Sequence, residues 1–322
     1  VSEVPAPPSP QATAPDLPAM ADGAHGGAGN ALPGGWDCHV HVFDAAQPVR
    51  PGHYQPVHRP LPQIEALAAQ HGVGHLVLVQ PSVYGCDNTL MLRALQAGGG
   101  RHRGVAVVAP DVGDAALDQL HAAGVRGVRF NCVSPAGHGA APQALAAELQ
   151  HLAPRLRARG WHVQWYVTAD TLPMLPRWQA DTGLCFVLDH LAGLHAGLAD
   201  EHPAWAAAQA LAEGGAWLKL SGWYRLGAAA AGPAQPVAPA QPEAPVPPST
   251  APHAPYALLW PAIRRAAALF GPRLVWGSDW PHTSFAPDRL PAYAAVLDPL
   301  RAALGPLAAH RVLHQGAAAL YR

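Results

Sequence analysis

Eight short apolar runs punctuate this chain, at 36–43, 75–80, 104–110, 127–131, 162–167, 185–190, 217–222 and 274–279. Between them lie Ala/Leu-rich segments with helical spacing, such as Pro62–Gln70, Asp114–Ala123, Pro142–Ala158, Pro203–Glu213 and Tyr256–Phe270. Strands that are apolar along their whole length have both faces covered, which is the signature of a parallel sheet with helices around it. Eight strand–helix repeats is the count that closes a (β/α)8 TIM barrel. A doubly wound open sheet is the competitor, but no G-x-G-x-x-G follows the first run. Asp114 ahead of an apolar helix reads as an N-cap.

Two stretches break the alternation. Residues 1–34 are rich in Pro, Ala and Gly without apolar periodicity and read as a disordered tail. Residues 227–255, with nine prolines between Pro233 and Pro255, read as a flexible Pro/Ala-rich loop inserted into the domain. The expected organisation is therefore one barrel domain over 35–322, with the insertion either a lid or a tolerated surface loop. Half of the 322 residues are hydrophobic, enough for a large core. Only 13% are charged and the formal net charge is −1, so no basic face points to nucleic acid. No apolar run is long enough to span a membrane, and the N-terminus shows no basic region followed by an apolar one. Cys38, Cys86, Cys132 and Cys185 stand singly with no C-x-x-C pair, as in a reduced cytoplasmic protein.

The strand ends carry the chemistry. In a barrel of this kind the active site lies where the strands finish. The first run, Trp36-Asp37-Cys38-His39-Val40-His41-Val42-Phe43, places Asp37, His39 and His41 on one face by simple alternation. The second is followed by Gln80, Ser82 and Tyr84; the fourth carries Arg129 and Asn131; the fifth carries Tyr166. The sixth ends in Asp189-His190, the seventh leads to Ser221 and Arg225, and the eighth closes as Trp276-Gly277-Ser278-Asp279-Trp280-Pro281-His282. A core selected for stability alone would not collect polar groups at one end, because buried polar groups cost free energy unless satisfied. Few acids lie near Arg129 or Arg225 in sequence, so both read as arginines aimed at an anionic ligand.

Asp37-Cys38-His39-Val40-His41, Leu188-Asp189-His190 and the Trp276–His282 segment together resemble the amidohydrolase superfamily. Within it, the chain resembles the branch with 2-pyrone-4,6-dicarboxylate lactonase and sugar-acid lactonases. Val79-Gln80-Pro81-Ser82, Gly127-Val128-Arg129-Phe130-Asn131 and Gly160-Trp161-His162-Val163 support it. The resemblance implies hydrolysis of a small carboxylated lactone. His39, His41 and His190 would match imidazoles that polarise the lactone carbonyl, and Asp279 the base that activates water. Arg129 and Arg225 would match carboxylate-binding arginines, and Tyr54, Ser82 and Tyr166 substrate contacts.

Two departures shape that expectation. Metal-dependent relatives carry a lysine or glutamate on strand four and a histidine on strand five, where this chain has Arg129 and Tyr166. A binuclear centre and any obligatory cofactor are therefore not expected, while a single zinc on His39, His41 and Asp279 is an acceptable three-ligand shell. The pyrone-dicarboxylate branch has a basic residue shortly after strand four, replaced here by Cys132-Val133-Ser134-Pro135, which points to a lactone with one carboxylate. The alternative is a metal-dependent decarboxylase or amide hydrolase on the same barrel. No G-x-S-x-G elbow supports a serine hydrolase. The expected partner is a small anionic lactone; a homo-oligomer is compatible with the sequence.

Overall fold

Eight parallel strands hydrogen-bond in the order of the chain, β1 to β8, in a computed structural model that describes residues 34–51, 53, 55–133, 141–226, 256–286 and 288–321. The strands are β1 Gly35–Val40, β2 Val73–Val79, β3 Arg103–Ala106, β4 Val125–Asn131, β5 His162–Tyr166, β6 Phe186–Leu188, β7 Trp217–Leu220 and β8 Leu274–Trp276. Helices α1 Leu61–Ala69, α2 Thr89–Ala97, α3 Asp114–Ala122, α4 Pro142–Ala158, α5 Leu175–Thr182, α6 Pro203–Glu213 and α7 Trp260–Phe270 alternate with them. Helix α8 Tyr293–Leu304 follows β8, and α9 Pro306–Arg311 and α10 Ala317–Tyr321 end the described chain. This is the (β/α)8 barrel that the eight apolar runs predict. The proposed tail up to residue 33 and the 227–255 insertion lie outside the described residues.

The barrel closes just beyond β8. Val40 bridges Trp280 in parallel, Asp279 N donates to the His39 carbonyl at 2.9 Å, and His41 N donates to the Trp280 carbonyl at 2.9 Å. The main apolar layer lies between strands and helices. A second, smaller cluster fills the barrel itself: Trp36, Cys38, Val77, Val79, Val105 and Val275, with Ala317 and Tyr321 of α10. Tyr321 stacks on Trp36 at 6.1 Å, and its carbonyl accepts from Arg103 Nε, so α10 stoppers the end where the strands begin. A recess of about 680 Å³ lies at that same end, between Trp36, His75, Arg101 and His314. Its arginines are engaged, Arg101 with Glu65 and Arg103 with backbone carbonyls.

Strict alternation fails in β1, and the failure positions the site. Asp37 pairs with Leu76 and Val40 with Leu78, so three steps on β1 match two on β2: a β-bulge. Asp37 points outward, accepting from Tyr293 Oη on α8 at 2.9 Å. Cys38 faces the barrel interior, and the extra residue turns His39 inward as well. The expectation that Asp37, His39 and His41 share a face is thus corrected. The Asp37 carboxylate locks the bulge instead, accepting from His39 N at 3.2 Å and Ser278 N at 2.8 Å. Gly277 completes the fit, since a Cβ there would lie 2.5 Å from His39 Cβ. A second correction concerns Asp114. Gly113 occupies the cap, and Asp114 opens the first turn with its carboxylate held by Arg159.

Candidate active site

The strands stop earlier than the apolar runs do, because the backbone turns left-handed at the residues that matter. β6 ends at Leu188 and β8 at Trp276; His190 (φ 47°) and Asp279 (φ 62°) follow in a conformation that costs a non-glycine residue about 1–2 kcal/mol. The turn at His190 is admitted by Gly222, where a Cβ would lie 2.5 Å from the His190 ring. Such strain persists only where the surroundings over-determine it, and it marks sites of function.

Three imidazoles gather on the Asp279 carboxylate. His39 Nε2 and His41 Nε2 lie 3.6 and 3.5 Å from Oδ1, and His190 Nε2 lies 3.9 Å from Oδ2. The other nitrogen of each ring faces a fixed group. His41 Nδ1 is 2.8 Å from the Val79 carbonyl and therefore carries its proton there. His190 Nδ1 is 3.0 Å from Ser221 Oγ, and His39 Nδ1 is 3.3 Å from Asp189 Oδ1. Oδ2 of Asp279 also accepts from Tyr224 Oη at 2.6 Å and Arg225 Nε at 3.0 Å. His39, His190 and Asp279 are sealed from solvent to within 2%, and His41 is 9% exposed. Arg225, with a quarter of its side chain exposed, marks the open side.

A second carboxylate lies deeper. Asp189 accepts from Arg129 Nε at 3.0 Å and Gln164 Nε2 at 2.9 Å, and Lys219 Nζ lies 3.6 Å away. Burial alone would raise both acids. His39, Lys219 and Arg129 hold Asp189 well below the ordinary carboxylate range, and His190, Arg225, His41 and His39 do the same for Asp279. Burial pushes the His190 imidazole down to about 4 and the His39 imidazole well below its ordinary value, against the pull of their acids. Both rings are neutral near pH 7. Ser221 can then donate to His190 Nδ1, leaving Nε2–H as a donor into the site.

Both arginines, read from the sequence as aimed at an anionic ligand, engage buried acids. Each finds an acid distant in sequence, Arg129 with Asp189 and Arg225 with Asp279, because barrel closure joins residues 60 and 54 positions apart. Arg129 is 5% exposed, with its guanidinium 5.4 Å from the centre of the Tyr166 ring. Tyr166 meets His190 edge-on at 4.7 Å, and Ser82 Oγ accepts from Asn131 Nδ2 at 2.8 Å. Tyr54 lies outside the described residues. Gln80 is buried, its Nε2 donating to the Gly85 and Asp87 carbonyls.

Four residues of this cluster escape sequence reasoning: Tyr224, Gln164, Lys219, and Asp189 as a hub. Lys219 carried a signal, being a lone ammonium in an apolar strand buried on both faces.

The donor set also fits one divalent cation. His39, His41 and Asp279 offer ligand atoms within 4.8 Å of one another, and His39, Asp189 and His190 form an overlapping group. His39 Nε2 has no hydrogen-bond partner among the described residues. The His41 contact to a carbonyl is of the kind that orients an imidazole able to bind a metal.

An eight-stranded α/β barrel whose mouth collects three imidazoles around an acid defines a class of barrel hydrolases. The amidohydrolase family model matches residues 36–322, and the chain belongs to that family. It is 33% identical over 272 residues to the 2-pyrone-4,6-dicarbaxylate hydrolase of Comamonas testosteroni, 82% of each chain being covered. It is 28% identical over 266 residues to the 4-sulfomuconolactone hydrolase of Rhizobium radiobacter, covering 80% of this chain and 79% of that one. A Pseudomonas putida structure, solved as that of a candidate 2-pyrone-4,6-dicarboxylic acid hydrolase, superimposes with a TM-score of 0.70 at 30% identity. That match covers 90% of this chain and 97% of the other.

Proposed function

We propose that this enzyme opens a small carboxylated lactone, with water activated by Asp279. The observation that carries this reading is the grouping of three imidazole Nε2 atoms within 3.9 Å of one buried carboxylate. Relatives whose names specify a pyrone dicarboxylate and a sulfomuconolactone support the substrate class. In this reading Asp279 takes a proton from water as its oxygen bonds to the carbonyl carbon. Neutral His190 donates through Nε2 to the oxygen on which charge builds, and His39 and His41 complete the polar wall around it. The ring C–O bond then breaks, the ring oxygen takes up the proton, and a hydroxy acid leaves.

Substrate positioning falls to Arg225 at the open side and to Arg129, Ser82 and Tyr166 around it, with Tyr54 kept as a contact that the resemblance implies. Arg225 has nitrogens beyond the Nε given to Asp279, and a carboxylate on the substrate supplies the acceptor. Arg129, being nearly covered, contributes its field more than a fork. One accessible arginine suits a lactone with a single carboxylate better than a dicarboxylate.

A version with one bound divalent ion is favoured by the unpartnered His39 Nε2. His39, His41 and Asp279 would hold the ion, and when bound it would polarise the carbonyl and acidify a water. We favour the chemistry of the side chains alone, because Ser221 leaves His190 Nε2–H as a donor without it. A panel of lactones assayed after exhaustive chelation tests the reading. Turnover of a carboxylated lactone by metal-free enzyme is expected. Activity that disappears and returns only with zinc puts the ion in place of the imidazole wall, and no turnover of any lactone rejects the function.

A further inference from the structure

We propose that Lys219 is a positioning residue for His39, acting on that histidine through both its backbone and its ring. The proposal rests on the catalytic reading of His39 given above. Lys219 is wholly buried on β7, inside the barrel. Its Nζ donates to the Cys38 carbonyl at 2.8 Å and to Gln164 Oε1 at 2.6 Å, and lies 3.6 Å from Asp189 Oδ1. The Cys38 carbonyl belongs to the peptide that joins Cys38 to His39, in the bulge that turns His39 inward. Gln164 passes the constraint on, donating through Nε2 to Asp189 Oδ2, while Asp189 Oδ1 faces His39 Nδ1 at 3.3 Å. One ammonium therefore grips the histidine from behind on two sides.

Two simpler roles fail on the same observations. As filler, an ammonium is a poor choice, because removing it from water carries a desolvation penalty that a methionine would not incur. As counter-charge to Asp189 it duplicates Arg129, which already contacts that carboxylate at 3.0 Å. What Lys219 reaches and Arg129 does not is the bulge carbonyl, and that contact fixes the angle at which His39 enters the site.

The test is Lys219→Met, which keeps the length of the side chain and removes its donors. We expect kcat to fall about 100-fold, as for a misplacement near 1 Å, with KM changed less than about threefold. The ¹⁵N resonances of the His39 ring, assigned by their loss in His39→Gln, should shift in Lys219→Met. A kcat within about threefold of the parent together with unmoved His39 resonances overturns the proposal. Should Lys219→Met fail to fold, Gln164→Leu cuts the relay without stranding the ammonium, which keeps the Cys38 carbonyl. It should lower kcat about tenfold and shift the same resonances, and no change in either overturns the proposal. A parent enzyme that opens no lactone defeats the proposed function but leaves the His39 resonances to decide the role of Lys219.

Discussion

Two buried carboxylates divide the labour of this barrel, and they share one histidine. Asp189, inside the barrel, is enclosed by Arg129, Gln164 and Lys219, with His39 Nδ1 beside it. Asp279, at the mouth, faces His39 Nε2 together with His41, His190, Tyr224 and Arg225. Both stay ionised well below the usual range, but for different reasons. Asp189 is held by Arg129, with Lys219 beside it, and is wholly buried. Asp279 is surrounded by imidazoles that can give or hold protons, with an arginine on the exposed side. A buried acid ringed by fixed charge serves to hold its neighbours, whereas one ringed by titratable groups can take part in a reaction.

The sharpest way to break this contrast is to neutralise each acid in turn. Asp279→Asn should lower kcat about 10³-fold or more, within the range of a lost general base, while a product hydroxy acid still binds. Calorimetric binding beside steady-state kinetics checks it, and retained turnover removes Asp279 from the base role. Asp189→Asn should act first on the fold, costing about 3–5 kcal/mol in denaturant unfolding because Lys219 and Arg129 lose a buried partner. If Asp189→Asn leaves stability untouched, the structural half of the comparison is wrong. Gly277→Ala brings a Cβ against His39 and should cost about 1–3 kcal/mol, with kcat falling alongside. Normal kinetics in that variant would show that the bulge does not set the His39 angle.

The smallest effect concerns pH. Asp189 is depressed in the folded state, so its contribution is fully present above the unfolded value near 3.9 and is lost as pH falls through the folded one. Thermal unfolding below about pH 4 should therefore depend less steeply on pH in Asp189→Asn than in the parent. An unchanged acid limb would mean that Asp189 is not ionised in the folded protein.

Much of this was legible in the sequence. The eight apolar runs give the strand count and order, since each strand is buried on both faces and leaves a long hydrophobic signature. The H-x-H pair, Asp189-His190 and Asp279 are visible as polar groups at strand ends. Side-chain direction was not legible at β1, because a bulge is a property of pairing between strands rather than of either strand. The left-handed turns at His190 and Asp279 were hidden for a related reason: what permits the turn at His190 is Gly222, 32 positions away. The ion pairs of Arg129 and Arg225 were not legible because their acids arrive only with barrel closure. Lys219 shows the converse case, a charge whose oddity in an apolar strand is plain in the sequence but whose partners are not.

The most direct test is a crystal structure of Asp279→Asn holding an unhydrolysed lactone that bears a single carboxylate. The account predicts the lactone carbonyl oxygen within about 3.2 Å of His190 Nε2 and a ring carboxylate on Arg225. A lactone seated away from residues 39, 41, 190 and 279, or turned with its carbonyl away from the imidazoles, would contradict it.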